Sequence, residues 1–445
     1  MKPPHHPFLF VVLAAWLHPI HGARVYYVNQ PENLAGQIVG VSPDGQGSAV
    51  VWASPVVTDL RGIATDMGRK ELYFAHALQS LTTLSRTEVS LRRVPMAGGT
   101  PVVVTTFPDE TFLADVEFDA AGDWVYQANS STLQLLKLHP DGSGLTTVLT
   151  HTAAGSGPYF VGLDLVNQYA YWGIVTVTNE TNTAFSRGTL AGVVDPTFSL
   201  VTTSRTRDIA IDVTVPGAPR VYWCDRQNGA VYTRPVAGGA VNTVRTGMNA
   251  PHGLAIDVEA GKGYVADTGK RGGGTQPSAH RVVRFNLDGT GALEFLSPVS
   301  AVAEPYDVAL DLTSTSYADW KTRFWAFGAA GSAATDDPDG DGRPNAAEYA
   351  LFSHPLKADS GAHTLGSTGS GVRFARRKIG DVPLRLEVSS DFTTWHWNGD
   401  GSGLTWTQEQ SATPRDEDSE WIEATPTGAV PAGGRVFFRL RAVGP

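Results

Sequence analysis

"EPYDVALDL" (304–312) decides the fold, because it begins a unit that it does not finish. Five earlier stretches share its pattern: "LRGIATD" (60–66), "LADVEFD" (113–119), "PYFVGLD" (158–164), "TRDIAID" (206–212) and "PHGLAID" (251–257). Each of those five is followed by a tyrosine in a short aromatic run. Tyr73, Tyr126, Tyr171 and Tyr264 fall seven residues after Asp66, Asp119, Asp164 and Asp257, and Tyr222 falls ten after Asp212. An alternating segment with a Gly-containing turn comes next, then a short β-branched run. Strand, turn, strand, hairpin and strand make a four-stranded sheet with the ~40–50-residue period of a propeller blade.

The sixth stretch runs instead into "TSTSYADWKTRFWAF" (313–327), whose apolar spacing is helical. Its missing strands stand at the other end of the chain. "ARVYYVNQ" (23–30), "QIVGVSPDGQG" (37–47) and "AVVWAS" (49–54) supply an aromatic strand and two more, with no Asp strand before them. The expectation is an all-β, six-bladed propeller over 24–312 whose last blade is closed by the N-terminal strands. Two residues before each terminal Asp stand Ala64, Glu117, Gly162, Ala210, Ala255 and Ala309. Small side chains there suit innermost strands crowded about an axis.

The run Tyr222-Trp223-Cys224-Asp225, with "PHGLAID"-type strands and "DG" turns around it, resembles the class B (YWTD) repeats of the LDL-receptor family over about residues 24–312. The resemblance implies an extracellular binding or scaffolding module. Related six-bladed propellers include gluconolactonase-like enzymes.

Composition narrows the function. A net charge of −10 without a basic stripe argues against a nucleic-acid binder. Residues 1–23 read as a secretory signal peptide, and no later segment is apolar enough to span a bilayer. The expected location is therefore secreted, periplasmic or at the cell surface. A single cysteine, Cys224, rules out an intrachain disulfide framework. Asn129 and Asn179 open glycan sequons, which matter only in a glycosylating host.

Residues 313–360 carry a helix and then "DPDGDGRPNAAE" (337–348). Asp337, Asp339, Asp341, Asn345 and Glu348 occupy the oxygen-ligand positions of an EF-hand-like calcium loop, Gly342 allows its sharp turn, and Arg343 offers its carbonyl. Pro344 removes the backbone N–H through which paired EF-hands couple, so a single Ca²⁺ site is expected, as in dockerin-like or thrombospondin type 3 motifs. Residues 361–445 read as a linker and a small β-sandwich-like module. The order from about residue 315 onward resembles a C-terminal module of secreted proteins from Verrucomicrobia and related bacteria.

Aligning the six first strands places Arg61, Ala114, Tyr159, Arg207, His252 and Tyr306 in one ring at the channel rim. The next ring is Gly62, Asp115, Phe160, Asp208, Gly253 and Asp307. Arg61, Asp115, Tyr159, Arg207, Asp208, His252, Tyr306 and Asp307 are thus the candidate contacts for a protein or glycan ligand. The alternative is a lactonase- or lyase-like enzyme with a divalent metal at the channel mouth near Glu117, His252 and the rim Asp residues. No catalytic triad, nucleotide loop or zincin motif occurs in a matching context.

Overall fold

The computed structural model describes residues 22–31, 34–80, 82–83, 85–151, 156–176, 184–201, 205–271, 274–275, 280–296, 304–358, 366–368, 371–378, 380–402, 405–411, 419–427 and 436–443. Most of the expected signal peptide, the Asn179 sequon and most of the 361–371 linker lie outside them. Among the described residues the chain is all-β apart from two short helices, and its sheets are antiparallel.

Six four-stranded sheets occupy residues 24–311. Their inner strands are Thr58–Asp66, Leu113–Asp119, Ser156–Asp164, Thr206–Asp212, Pro251–Asp257 and Pro305–Asp311. The last of these pairs with Arg24–Asn29, followed by Gln37–Val41 and Ala49–Ala53. Each inner strand packs against the next in sequence, and Pro305–Asp311 packs against Thr58–Asp66.

Local chemistry fixes each sheet. The aspartate ending every inner strand folds back on the turn after it: Asp66 accepts from the Arg69 amide, Asp119 from Gly122, Asp164 from Asn167, Asp212 from Thr214, Asp257 from Ala260 and Asp311 from Thr313. A short acceptor placed before a turn gives buried amides a partner that water cannot supply. The register then sets the residue two before each aspartate, small in all but one strand, opposite a tyrosine: Ala64 faces Tyr73, Glu117 Tyr126, Gly162 Tyr171, Ala210 Tyr222, Ala255 Tyr264 and Ala309 Tyr26. All six tyrosines are buried between sheets. Their bulk fills the widening space away from the axis, while the small partners leave the axis open.

The C-terminal part is tied to this body through helix α1 (Tyr317–Phe324). Ser316 caps it by accepting from the Asp319 amide. Tyr317, Trp320, Phe324 and Trp325 pack with Tyr349 of helix α2 (Asn345–Leu351) and with Ala260 from a turn of the fifth sheet. Each fully buried aromatic of this kind is worth about 1.5–3 kcal/mol. Arg323, 6% exposed, makes paired bonds of 2.7 and 2.8 Å to the Asp257 carboxylate and one of 2.8 Å to Glu259. Beyond it, a four-stranded and a two-stranded sheet share one core of Phe374, Leu386, Val388, Trp406 and Ile422. The arginines of these strands are partnered rather than freely solvated. Arg385 and Arg439 both clamp the buried Glu387, and Arg376 bonds Glu420.

Candidate functional site

The two aligned rings meet at one end of the central channel. Each of the six inner strands has a register slip there, and the residue left without a partner is Gly62, Ala114, Tyr159, Arg207, His252 or Tyr306. A bulge re-aims its side chain out of the normal alternation. Four bulky side chains, Tyr159, Arg207, His252 and Tyr306, are thereby re-aimed, and with Arg61 beside them they meet. The Arg61 guanidinium lies 4.1 Å from the centre of the Tyr306 ring, and that of Arg207 lies 5.1 Å from Tyr159. His252 meets Tyr306 edge-on at 4.9 Å, and its Nδ1 donates to the Tyr306 carbonyl at 2.9 Å. The space left between these groups and the three aspartates below is about 10 Å³, room for at most one water.

The ring placed at the rim packs across that end of the channel as a plug, with Arg61, Tyr159, His252 and Tyr306 still part-exposed on it. Arg207 is 3% exposed. Burial, reinforced by Arg207 and Arg61, holds the His252 pKa well below its ordinary value, so the imidazole stays neutral. Arg61 keeps its charge despite burial because Asp59 sits 2.7 Å away. Asp59 in turn is drawn below its usual range, against its own burial, by Arg61 and Arg86.

The aspartates of the second ring have both oxygens engaged by backbone amides. One carboxylate oxygen of each caps its own following amide: Val116 for Asp115, Ile209 for Asp208 and Val308 for Asp307. The other oxygen accepts an amide from the neighbouring inner strand. Asp115 takes Val161 at 2.8 Å, Asp208 takes Leu254 at 2.6 Å, and Asp307 takes Ile63 at 2.7 Å. Three staples thus join the strands in pairs. The intervening positions are Gly62, Phe160 and Gly253, and the two glycines are needed for close approach. A Cβ on Gly62 would stand 2.7 Å from the Val116 nitrogen, and one on Gly253 would stand 2.5 Å from the Asp307 Cα.

Below the staples the channel opens into a cavity of 640 Å³. All six residues two before the terminal aspartates line it, and Glu117 is the one charge among them. Burial, with Asp307 nearby, raises the Glu117 pKa to about 8. Burial raises Asp307 to about 6, against its two amide bonds. Asp115 and Asp208 are pushed well up by burial and by each other's neighbourhood of carboxylates. Cys224 is buried in its strand, its thiol donating to the His252 carbonyl at 3.1 Å. Asn129 is 3% exposed and caps the Thr132 amide, so its sequon is a structural turn.

The second candidate site is the acidic loop. It gathers carboxylate oxygens of Asp337, Asp339 and Asp341 within 4.8 Å of one another. The loop amides hold them in place: Gly340 and Gly342 donate to Asp337, Asp341 to Asp339, and Arg343 to Asp341. The second oxygens of Asp339 and Asp341 are buried without a hydrogen bond, although the Arg343 side chain lies 3.4 Å from the latter. Converging hard oxygens, two of them lacking donors, fit a divalent cation. Asn345 and Glu348 are fully buried on α2, and the group of three carboxylates does not include Glu348. Asn345 turns its amide nitrogen to the carbonyls of Gly331 and Ala333. If an ion binds, Asp337, Asp339 and Asp341 would hold it, and the ion would supply the charge that relieves their repulsion.

No protein-family model matches the chain, and no curated protein matches it. Solved structures do. A chain of the nidogen/laminin complex is similar with a TM-score of 0.51 at 13% identity, covering 66% of this chain and 100% of that one. TolB from Acinetobacter baumannii aligns with a TM-score of 0.49 at 12% identity, covering 65% of this chain and 66% of that one. The likeness to the nidogen/laminin chain makes the fold a β-propeller. Identity this low carries the fold and nothing more.

Proposed function

We propose that the chain is a secreted, periplasmic or surface calcium-binding protein whose propeller is a binding or scaffold module for an extracellular protein or glycan. In this reading residues 24–312 are six blades of the YWTD type in a closed ring. Pairing of Pro305–Asp311 with Arg24–Asn29, and the Asp307 bond to the Ile63 amide, support the closure. Residues 313–445 are an accessory calcium-loop and β module of the kind found in Verrucomicrobia-type secreted proteins.

The plug is the observation that carries the binding reading. A channel stoppered by Arg61, Tyr159, Arg207, His252 and Tyr306 offers a partner a surface at that end and no mouth through which a substrate could enter from that side. The similar structure comes from a complex of two proteins, and the proposal extends that kind of use to this chain. The enzyme alternative requires a divalent ion there. The rim aspartates are already held by backbone amides and the His252 Nδ1 by the Tyr306 carbonyl, so an ion there would have the His252 Nε2 and the remaining lone pairs of the carboxylates as its ligands.

Two measurements test the proposal. Glycan and extracellular-protein arrays probed with the full chain should give a ligand whose capture falls at least tenfold in Arg61→Ala/Tyr306→Ala, while calcium binding is unchanged. Unaltered capture would move the surface elsewhere, and metal-dependent lactone turnover would favour the enzyme. Calorimetry with Ca²⁺ should show one site of about 10⁻⁴–10⁻³ M, the range of extracellular modules, that Asp337→Ala/Asp341→Ala abolishes. Absence of heat at millimolar Ca²⁺ overturns the calcium assignment.

A further inference from the structure

We infer that the central channel is a binding site for an ammonium compound with a slender apolar body, held by its head at Glu117 and admitted from the end opposite the plug. The cavity of 640 Å³ lies in the range of small-molecule sites, about 300–1,000 Å³. One end is shut by the Arg–Tyr–His layer. The other reaches the turn residues Met67, Ala120 and Leu165, of which Ala120 is exposed.

Charge selects the head group. The lining holds four carboxylates, from Asp115, Glu117, Asp208 and Asp307, and no Lys, Arg or His. A recess lined by one sign of charge with apolar walls focuses its field on a cation. Each oxygen of the three aspartates is held by a backbone amide, so these carboxylates are less free than Glu117 to meet a head group. Glu117 differs: among the described residues its carboxylate accepts from the adjoining Phe118 amide alone. It also stands alone on its level, where the other five strands present Ala or Gly and leave room beside the carboxylate.

The walls select the body. Phe118, Leu163, Ile211, Ile256 and Leu310 line the shaft and are only half-buried, and each methylene buried against such a wall strengthens binding about fourfold. A bare metal ion fits less well. Among the described residues, carboxylate oxygens gather within 4.8 Å only at Asp337, Asp339 and Asp341, far along the chain from this channel.

Titration of the full chain with hexylammonium, 1-hexanol and hexanoate at pH 8.5 tests the inference. Hexylammonium should bind at least tenfold more tightly than hexanol, and hexanoate should not bind. Glu117→Gln should erase the advantage of the amine and leave hexanol unchanged. Ala210→Met, which fills the channel at the level of Glu117 while keeping the carboxylate, should weaken both ligands; Ala255→Met replaces it if that variant does not fold. Equal binding of amine and alcohol by the natural chain overturns the inference, as does amine binding that neither Glu117→Gln nor the filling variant alters. Displacement of hexylammonium by millimolar Mg²⁺ in the Asp337→Ala/Asp341→Ala background overturns it in favour of a metal. None of these outcomes bears on ligand capture by the outer face, so the two proposals fail separately.

Discussion

Replacing Arg323 with alanine should cost more than any other single change at the junction between the propeller and the C-terminal part. The side chain is 6% exposed, and its two bonds to Asp257 and one to Glu259 span 66 and 64 residues of chain. Alanine leaves the Asp257 carboxylate, 1% exposed, with only the Ala260 amide. Removing one member of a buried ion pair costs about 3–5 kcal/mol, chiefly because the other charge stays buried. At about 2 °C per kcal/mol for a domain this large, the melting temperature should fall by about 6–10 °C. Scanning calorimetry on the full chain reads this directly. Asp257→Asn should lose less, because an amide can still accept from Arg323, and the double variant Arg323→Met/Asp257→Asn should recover part of the loss. A fall below about 2 °C for Arg323→Ala would refute the argument that this pair anchors α1.

Two further outcomes follow from the channel. Glu117 and Asp307 have folded-state pKa values above their ordinary ones, so the stability they contribute is present at low pH and is lost as pH rises, over about 4.5 to 8 for Glu117 and 3.8 to 6 for Asp307. With Asp115 and Asp208 also facing the cavity, Glu117→Gln should raise stability at pH 8 by up to about 5 kcal/mol and by little at pH 4.5; equal melting temperatures at pH 8 would contradict this. Gly253→Ala places a Cβ 2.5 Å from the Asp307 Cα and 2.9 Å from the Val308 nitrogen, and urea unfolding should show a loss of about 2–3 kcal/mol. An unchanged midpoint would mean that the two inner strands can separate freely.

What the sequence made legible was local and periodic. Aspartates before turns announce their own hydrogen bonds, because donor and acceptor lie two or three residues apart. The small residues lining the channel and the tyrosines beside them could be read from spacing alone. The contents of both rings at the plugged end were also readable, but their behaviour was not. Whether Arg207 and Tyr306 point outward or across the axis depends on a one-residue slip in strand pairing, which leaves no mark on side-chain alternation. Gly62, the bulge of the first strand at φ 49°, was the available signal. Partners far apart in the chain, such as Arg323 with Asp257 or Glu387 with Arg439, carry no periodicity and stay hidden until the chain is folded. In the acidic loop the regular spacing of three aspartates brings their oxygens together. Asn345 and Glu348 come from the helix that follows, where both are fully buried.

The order Gly62, Asp115, Phe160, Asp208, Gly253, Asp307 has a consequence for how such a chain can grow or shrink. Each aspartate lends an oxygen to the strand that follows it, and the strand between two aspartates lends none, so the repeating module at the axis is two sheets long. Deleting or duplicating one sheet would set two acceptors side by side, or leave an inner amide with no carboxylate beside it. Deleting or duplicating two keeps every bond. Lineages descended from this arrangement should therefore change their number of sheets in even steps, and an odd-numbered descendant should have lost the alternation first.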